Sequence, residues 1–147
     1  MELRRQTGIV FQDYQLIEDM TASENIRIPL NIKKVPKNKA DNQIEKLLAH
    51  VNLSSKGDKY PPNLSGGEQQ RIAVARALSH NPPLIFADEP TGNLDKYSAD
   101  IVWDLFKDAN QYLGVTIVVV THTIPQDLDI DYRRFEIDDE GFIYELS

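Results

Sequence analysis

Three short stretches hold the residues whose types and spacing could do chemistry. Asp88-Glu89 ends the apolar run Leu84-Ile85-Phe86-Ala87, and His122 follows the β-branched run Val115–Val120 and Thr121. Two carboxylates at the carboxyl end of a parallel strand stand where open α/β sheets place their ligands. Taken singly, an acidic pair is more often a solvated turn, and a lone histidine at a strand end more often structural. The third stretch is Asn63-Leu64-Ser65-Gly66-Gly67-Glu68-Gln69-Gln70-Arg71. Ser65 and Glu68 have capping-box spacing, in which the hydroxyl accepts from the Glu68 amide while Glu68 reaches back. Glycines at that helix start let backbone N–H groups approach an anion closely, and the helix dipole favours negative charge there. On Ser-Gly-Gly alone, an ordinary capped helix is the better reading.

Periodicity indicates the elements that must position these residues. Thr7-Gly8-Ile9-Val10-Phe11 reads as a buried strand ending at Gln12. From Ser23 to Leu53 the pattern is helical, with interruptions expected at Pro29 and over Lys33 to Asn38. A helix should run from Ser65 to about Ser79, where Asn81-Pro82-Pro83 stops it. Leu84–Ala87 and Val115–Val120 read as buried strands flanking a helix over Ser98 to Tyr112. Arg133 to Asp138 and Phe142 to Leu146 read as a closing hairpin. Strands apolar on both faces, alternating with helices, indicate a parallel α/β sheet.

Composition narrows the function classes. The 147 residues contain no cysteine, which excludes disulfides, thiolate metal sites and thiol nucleophiles. A net charge of −7 argues against a chain that coats nucleic acid, because phosphate binding is driven by released counterions. No apolar run approaches the roughly 20 residues needed to span a bilayer, and no apolar h-region follows Met1-Glu2-Leu3-Arg4-Arg5. A soluble, cytoplasmic α/β domain is the expectation. His50 is expected on a helix surface and His80 at a helix C-terminus, where positive charge is favoured.

The octet from Leu64 to Arg71 with Ile72-Ala73-Val74-Ala75-Arg76-Ala77-Leu78 resembles the signature sequence of ABC-transporter nucleotide-binding domains. The remaining motifs follow in the family's order. Leu84 to Pro90 resembles the Walker B strand, which implies that Asp88 holds Mg²⁺ and Glu89 activates water. Thr91-Gly92-Asn93-Leu94-Asp95 resembles the D-loop, which crosses the family's dimer interface. His122 is similar to the switch histidine that contacts the γ-phosphate, and Gln12 to the Q-loop glutamine that touches Mg²⁺. Ser65, Gly66, Gly67, Glu68 and Asp95 are implied on the ATP-facing signature surface. The fold implied is a partial P-loop NTPase (RecA-like) sheet, formed by residues 1–12 and 80–147, with an α-helical subdomain inserted over 13–79. The implied partners are a second nucleotide-binding domain and a transmembrane permease-type subunit, which would hold the chain at the inner face of the cell membrane. Asp13 to Leu30 is expected to receive the permease's cytoplasmic helix, to pack Leu16, Ile17, Ile26 and Leu30 in the core, or both. Phe11-Gln12-Asp13-Tyr14-Gln15-Leu16 is similar to the cell-division type, within a branch that includes lipoprotein-releasing and macrolide-exporting ATPases. Thr123 stands where that branch often has Asp.

One motif of the family is absent. None of the seven glycines has a glycine five positions later, and none is followed by lysine, so the P-loop Gly-x-x-x-x-Gly-Lys-[Ser/Thr] does not occur. The chain resembles the C-terminal two-thirds of such a domain, beginning just before the Q-loop strand. Alone it is expected neither to bind ATP tightly nor to turn it over. The competing reading is a non-catalytic partner-binding module, against which the retained trio Asp88, Glu89 and His122 argues. In the family the P-loop strand lies beside the Val115–Val120 strand. Without it, either the Arg133–Asp138 strand closes the gap or another chain pairs there, as in a strand-swapped oligomer.

Overall fold

A computed structural model describes residues 6–146 of the chain. Strands β1 (Thr7–Val10), β2 (Leu84–Asp88) and β3 (Thr116–Val120) form one parallel sheet in that spatial order. Parallel neighbours need long crossovers. The β1 to β2 crossover contains helices α1 (Ala22–Ile32), α2 (Lys37–His50) and α3 (Gly66–Leu78), and the β2 to β3 crossover is α4 (Lys96–Leu113). Strands β4 (Arg134–Ile137) and β5 (Ile143–Leu146) form a separate antiparallel hairpin.

Helix α3 is the centre of the molecule. Gln70 to Ala75, Ala77 and Leu78 are buried nearly all round its circumference, and it packs on α1, α2, α4 and β1. Its approach to the sheet requires Gly8, since a Cβ there would lie 2.5 Å from the Ala77 carbonyl oxygen. Helix α4 buries Val102, Leu105, Phe106 and Ala109 on one face and ends on Gly114, whose φ of +67° is left-handed.

Four expectations need correction. Pro29 does not interrupt α1, which runs through it to Ile32. An interior proline costs about 3 kcal/mol, but complete burial of Ile26 and near-complete burial of Leu30 contribute about 1.5–3 kcal/mol each. The strands are not buried on both faces. Ile9, Phe86 and Val118, in one cross-strand row, are each a little over 40% exposed, because α3 and α4 cover only the other face. The Arg133–Asp138 strand does not close the sheet, for β4 pairs with β5 alone and the outer edge of β3 has no strand among the described residues. His80 is not held charged: burial, then the charge of Lys33, pulls its pKa below 6.5. Its Nδ1 is buried without a hydrogen-bond partner among the described residues. His50 does lie on an exposed helix surface, 3.3 Å from Asp108.

Candidate functional site

The carboxyl end of the sheet gathers Gln12, Asp88, Glu89 and His122. Parallel pairing puts the ends of all three strands on one side, and Asp88 lies opposite Val120 in the β2–β3 register. One residue later the Glu89 N–H still donates to the Val120 carbonyl at 2.8 Å, but φ at Glu89 is +45°. A non-glycine residue in the left-handed region is strained, and such residues cluster at functional sites. The turn brings the Glu89 carboxylate over the β3 terminus. Its Oε1 accepts from the His122 N–H at 3.0 Å, and His122 Nε2 lies 3.5 Å from the same oxygen. Thr121 Oγ1 lies 3.4 Å from Glu89 Oε2 and 3.0 Å from the Thr123 carbonyl. The imidazole of His122 is almost wholly exposed, so one side stays open for a ligand.

Gln12 and Asp88 line an open depression of about 470 Å³ with Phe11, Asp13, Gln15 and Asn93. A Cβ on Gly92 would come 3.2 Å from Gln12 Nε2 and 3.5 Å from Glu89 Oε2, so these two side chains flank the space that glycine leaves. An amide oxygen and one carboxylate are hard donors that suit Mg²⁺, which keeps several waters and takes few protein ligands. Among the described residues no three His, Asp or Glu side chains assemble as a cation cage. The residues present thus fit the metal and γ-phosphate end of a nucleotide, while the lysine and amide cradle for the other phosphates has no counterpart in the chain.

The signature residues form a second constellation. Ser65 caps α3 with both capping-box bonds in place: Glu68 N–H to Ser65 Oγ at 3.2 Å and Ser65 N–H to Glu68 Oε2 at 3.1 Å. Lys56 hydrogen-bonds the other Glu68 oxygen, and this bond is the largest cause of a Glu68 pKa below 4.5, against an opposing push from burial. Ser65 and Gly66 are exposed, so the helix tip faces outward. Behind it the packing is tight. A Cβ on Gly67 would meet Ser98 Oγ at 2.3 Å and Asp95 Oδ1 at 3.2 Å, and one on Gly66 would meet Tyr14 Oη at 2.8 Å. Asp95 is the N-cap of α4, accepting from the Ser98 N–H at 3.1 Å, and hydrogen bonds from Ser98 lower its pKa.

Among the described residues no hydrogen bond or ion pair joins Ser65 to Glu68 with Asp88, Glu89 or His122. Gln70 links the two regions indirectly, since its buried Nε2 donates to the Pro90 carbonyl at 2.6 Å.

The sequence is similar to known proteins. It matches the ABC transporter description over residues 1–92. The chain belongs to the ABC transporter family. Methionine import ATP-binding protein MetN of Sodalis glossinidius is 42% identical over 83% of this chain and 36% of its own length. MetN of Escherichia coli K12 is 42% identical over 81% of this chain and 35% of its own. The dimeric ATP-binding cassette MJ0796, in a post-hydrolysis state bound to ADP and Pi, superposes with a TM-score of 0.76 at 39% identity. That match covers 83% of this chain and 55% of the other. The parallel sheet with its helices therefore has the P-loop NTPase fold of ABC cassettes. The chain spans about a third of the length of these curated relatives. They carry methionine-import names, so the cell-division type suggested by Phe11 to Leu16 finds no support among them. No helix among the described residues is long and apolar enough to cross a membrane.

Several residues of the site had no assigned role in the sequence reading. The partners that matter here are distant in the chain, Glu89 for Thr121, Gly66 for Tyr14 and Glu68 for Lys56, so no spacing rule marks these residues. Gln70 and Arg76 left a usable signal, being polar positions inside an otherwise buried helix.

Proposed function

We propose that the chain is part of an ATP-hydrolysing subunit that drives a transmembrane permease in an importer-type ABC complex. Its signature tip serves ATP held by a second nucleotide-binding subunit, and its sheet end serves the γ-phosphate of its own nucleotide. The placement at the inner membrane face comes through the permease. The observation that carries the reading is the Glu89 carboxylate, anchored on the His122 amide beside Gln12 and Asp88.

Bound Mg²⁺ would supply charge neutralisation at the β- and γ-phosphates. Asp88 and Gln12 would hold that ion. Glu89, whose Oε1 is fixed by the His122 N–H, accepts the proton of the attacking water and lines it up with the γ-phosphate. His122 lays its open imidazole edge against the γ-phosphate oxygens, where negative charge accumulates. The Ser65 hydroxyl and the amides of Gly66 and Gly67 cover the γ-phosphate presented by the other subunit. The retained trio speaks against the non-catalytic module, which needs none of the three.

Complementation tests this. A full-length methionine import ATP-binding subunit whose own signature serine is replaced by arginine should hydrolyse little ATP. Adding the purified chain should restore turnover at least about tenfold. Ser65→Arg in the chain should abolish the restoration. No restoration, or restoration indifferent to Ser65→Arg, would sink the proposal.

A further inference from the structure

The loop after Gln12 is held by α3 at two points. Tyr14 and Gln15 are consecutive non-glycine residues with left-handed backbone, at φ +65° and +48°. Two such residues in succession persist only where their surroundings over-determine them. The local bonds, Tyr14 N–H to the Phe11 carbonyl at 3.3 Å and Gln15 N–H to the Asp13 carbonyl at 2.7 Å, are those of a tight turn. Their own carbonyls turn toward α3, where one side chain takes both. Arg76 Nη1 donates to the Gln15 carbonyl at 2.8 Å, and Nη2 donates to the Tyr14 carbonyl at 3.1 Å. At the other end of the same helix, Tyr14 Oη occupies the space that a side chain on Gly66 would need.

Arg76 has no carboxylate partner among the described residues, although it is half-buried and burial lowers its pKa. A desolvated cation whose neighbours are two loop carbonyls contributes little as a generic ion pair. The rigid, planar fork matches two adjacent carbonyls, a geometry that a lysine ammonium does not reproduce. Gln15 also lines the depression shared by Gln12 and Asp88, so the clasp lies three residues from the amide that faces it.

We infer that Arg76 is a positioning residue for Gln12: it fastens the loop that follows Gln12 to the signature helix, so that loop and helix tip shift together. The inference rests on reading Gln12 as a metal-facing group only for its second readout. The helix whose N-terminus is the anion-facing tip thereby controls, through its opposite end, the strand terminus bearing Gln12.

Arg76→Gln and Arg76→Lys in the full chain test this by amide hydrogen exchange and by Mn²⁺ broadening of NMR signals. Arg76→Gln should speed exchange at residues 14–17 by at least about tenfold while Ile72 and Val74 change less than about twofold. Arg76→Lys, which keeps charge and reach without the fork, should loosen the same loop amides and serves alone if the glutamine variant does not fold. With Mn²⁺ as the probe, the Gln12 side-chain amide should broaden in the unaltered chain and lose that broadening in either variant, with the effect at Asp88 retained. Unchanged exchange at 14–17, or equal loosening of α3, would overturn the clasp. Absent broadening of Gln12 in the unaltered chain would instead remove the metal reading of Gln12 and leave the clasp to be decided by exchange.

Discussion

Glu89 holds its carboxylate 3.0 Å from the backbone N–H of His122, across the ends of two neighbouring parallel strands, from a backbone conformation that glutamate seldom adopts. The relationship joins an acid and a histidine 33 residues apart. It also makes the chain's stability depend unusually on this position.

Alanine normally outperforms glycine outside turns, because glycine loses more backbone freedom on folding. At position 89, with φ +45°, the order should invert. Glu89→Gly and Glu89→Ala both delete the carboxylate, yet the alanine variant keeps a Cβ penalty of about 1–2 kcal/mol. Urea unfolding should find Glu89→Gly the more stable of the two by about 1 kcal/mol. Equal stabilities would show that the left-handed turn carries no strain.

The Lys56–Glu68–Ser65 cap makes stability pH-dependent in a defined direction. Glu68 titrates below 4.5 in the folded chain, chiefly through the Lys56 hydrogen bond. Its contribution is therefore complete above about pH 4.5 and is lost as pH falls through the lower, folded value. Lys56→Met should flatten that part of the stability profile while leaving the neutral-pH profile similar in shape. Ser65→Ala should cost about 1 kcal/mol at neutral pH. Denaturation midpoints across the acid range check both.

Gly67→Ala improves helix propensity by about 1 kcal/mol on paper. Here it should destabilise by about 1–3 kcal/mol, because the new methyl meets Ser98 Oγ at 2.3 Å in the packed α3–α4 contact. Ser98→Gly in the same chain should recover part of the loss in a double-mutant cycle. Additivity of the two changes would place the clash elsewhere.

An uncovered row of Ile9, Phe86 and Val118, beside a β3 edge with no strand neighbour among the described residues, favours association between copies. Light scattering should show mass rising with concentration, and Val118→Lys together with Val120→Lys should suppress the rise. A monomer at all concentrations would contradict this.

Much of the site was legible because its signals are local. Ser65 and Glu68 announce a capping box within four residues, and both bonds form. The apolar run before Asp88 marks a strand end, and Asn81-Pro82-Pro83 marks the end of α3. What escaped depended on partners distant in the chain. Pro29 looks like a breaker until Ile26 and Leu30 find α3, and His80 looks like a helix-end cation until burial removes its water. The buried Asn25 side chain offers another case. It organises the loop by bonding Ile17, Met20 and Thr21 backbone groups, yet within its own helix it reads as a neutral polar residue.

Residue order alone determined which chemical groups exist and which elements carry them: a capped glycine-rich helix tip, an acidic pair at a strand terminus, a histidine after a β-branched run, and no P-loop lysine. These depend on interactions within a few residues, where spacing and geometry are nearly equivalent. Tertiary structure decided what meets what. Only the side-by-side alignment of β2 and β3 places Glu89 against His122, and only the packing of α3 across the loop after Gln12 lets Arg76 bind two of its carbonyls. Such contacts join residues tens of positions apart, and their geometry emerges when buried apolar faces fix the angles between helices and sheet.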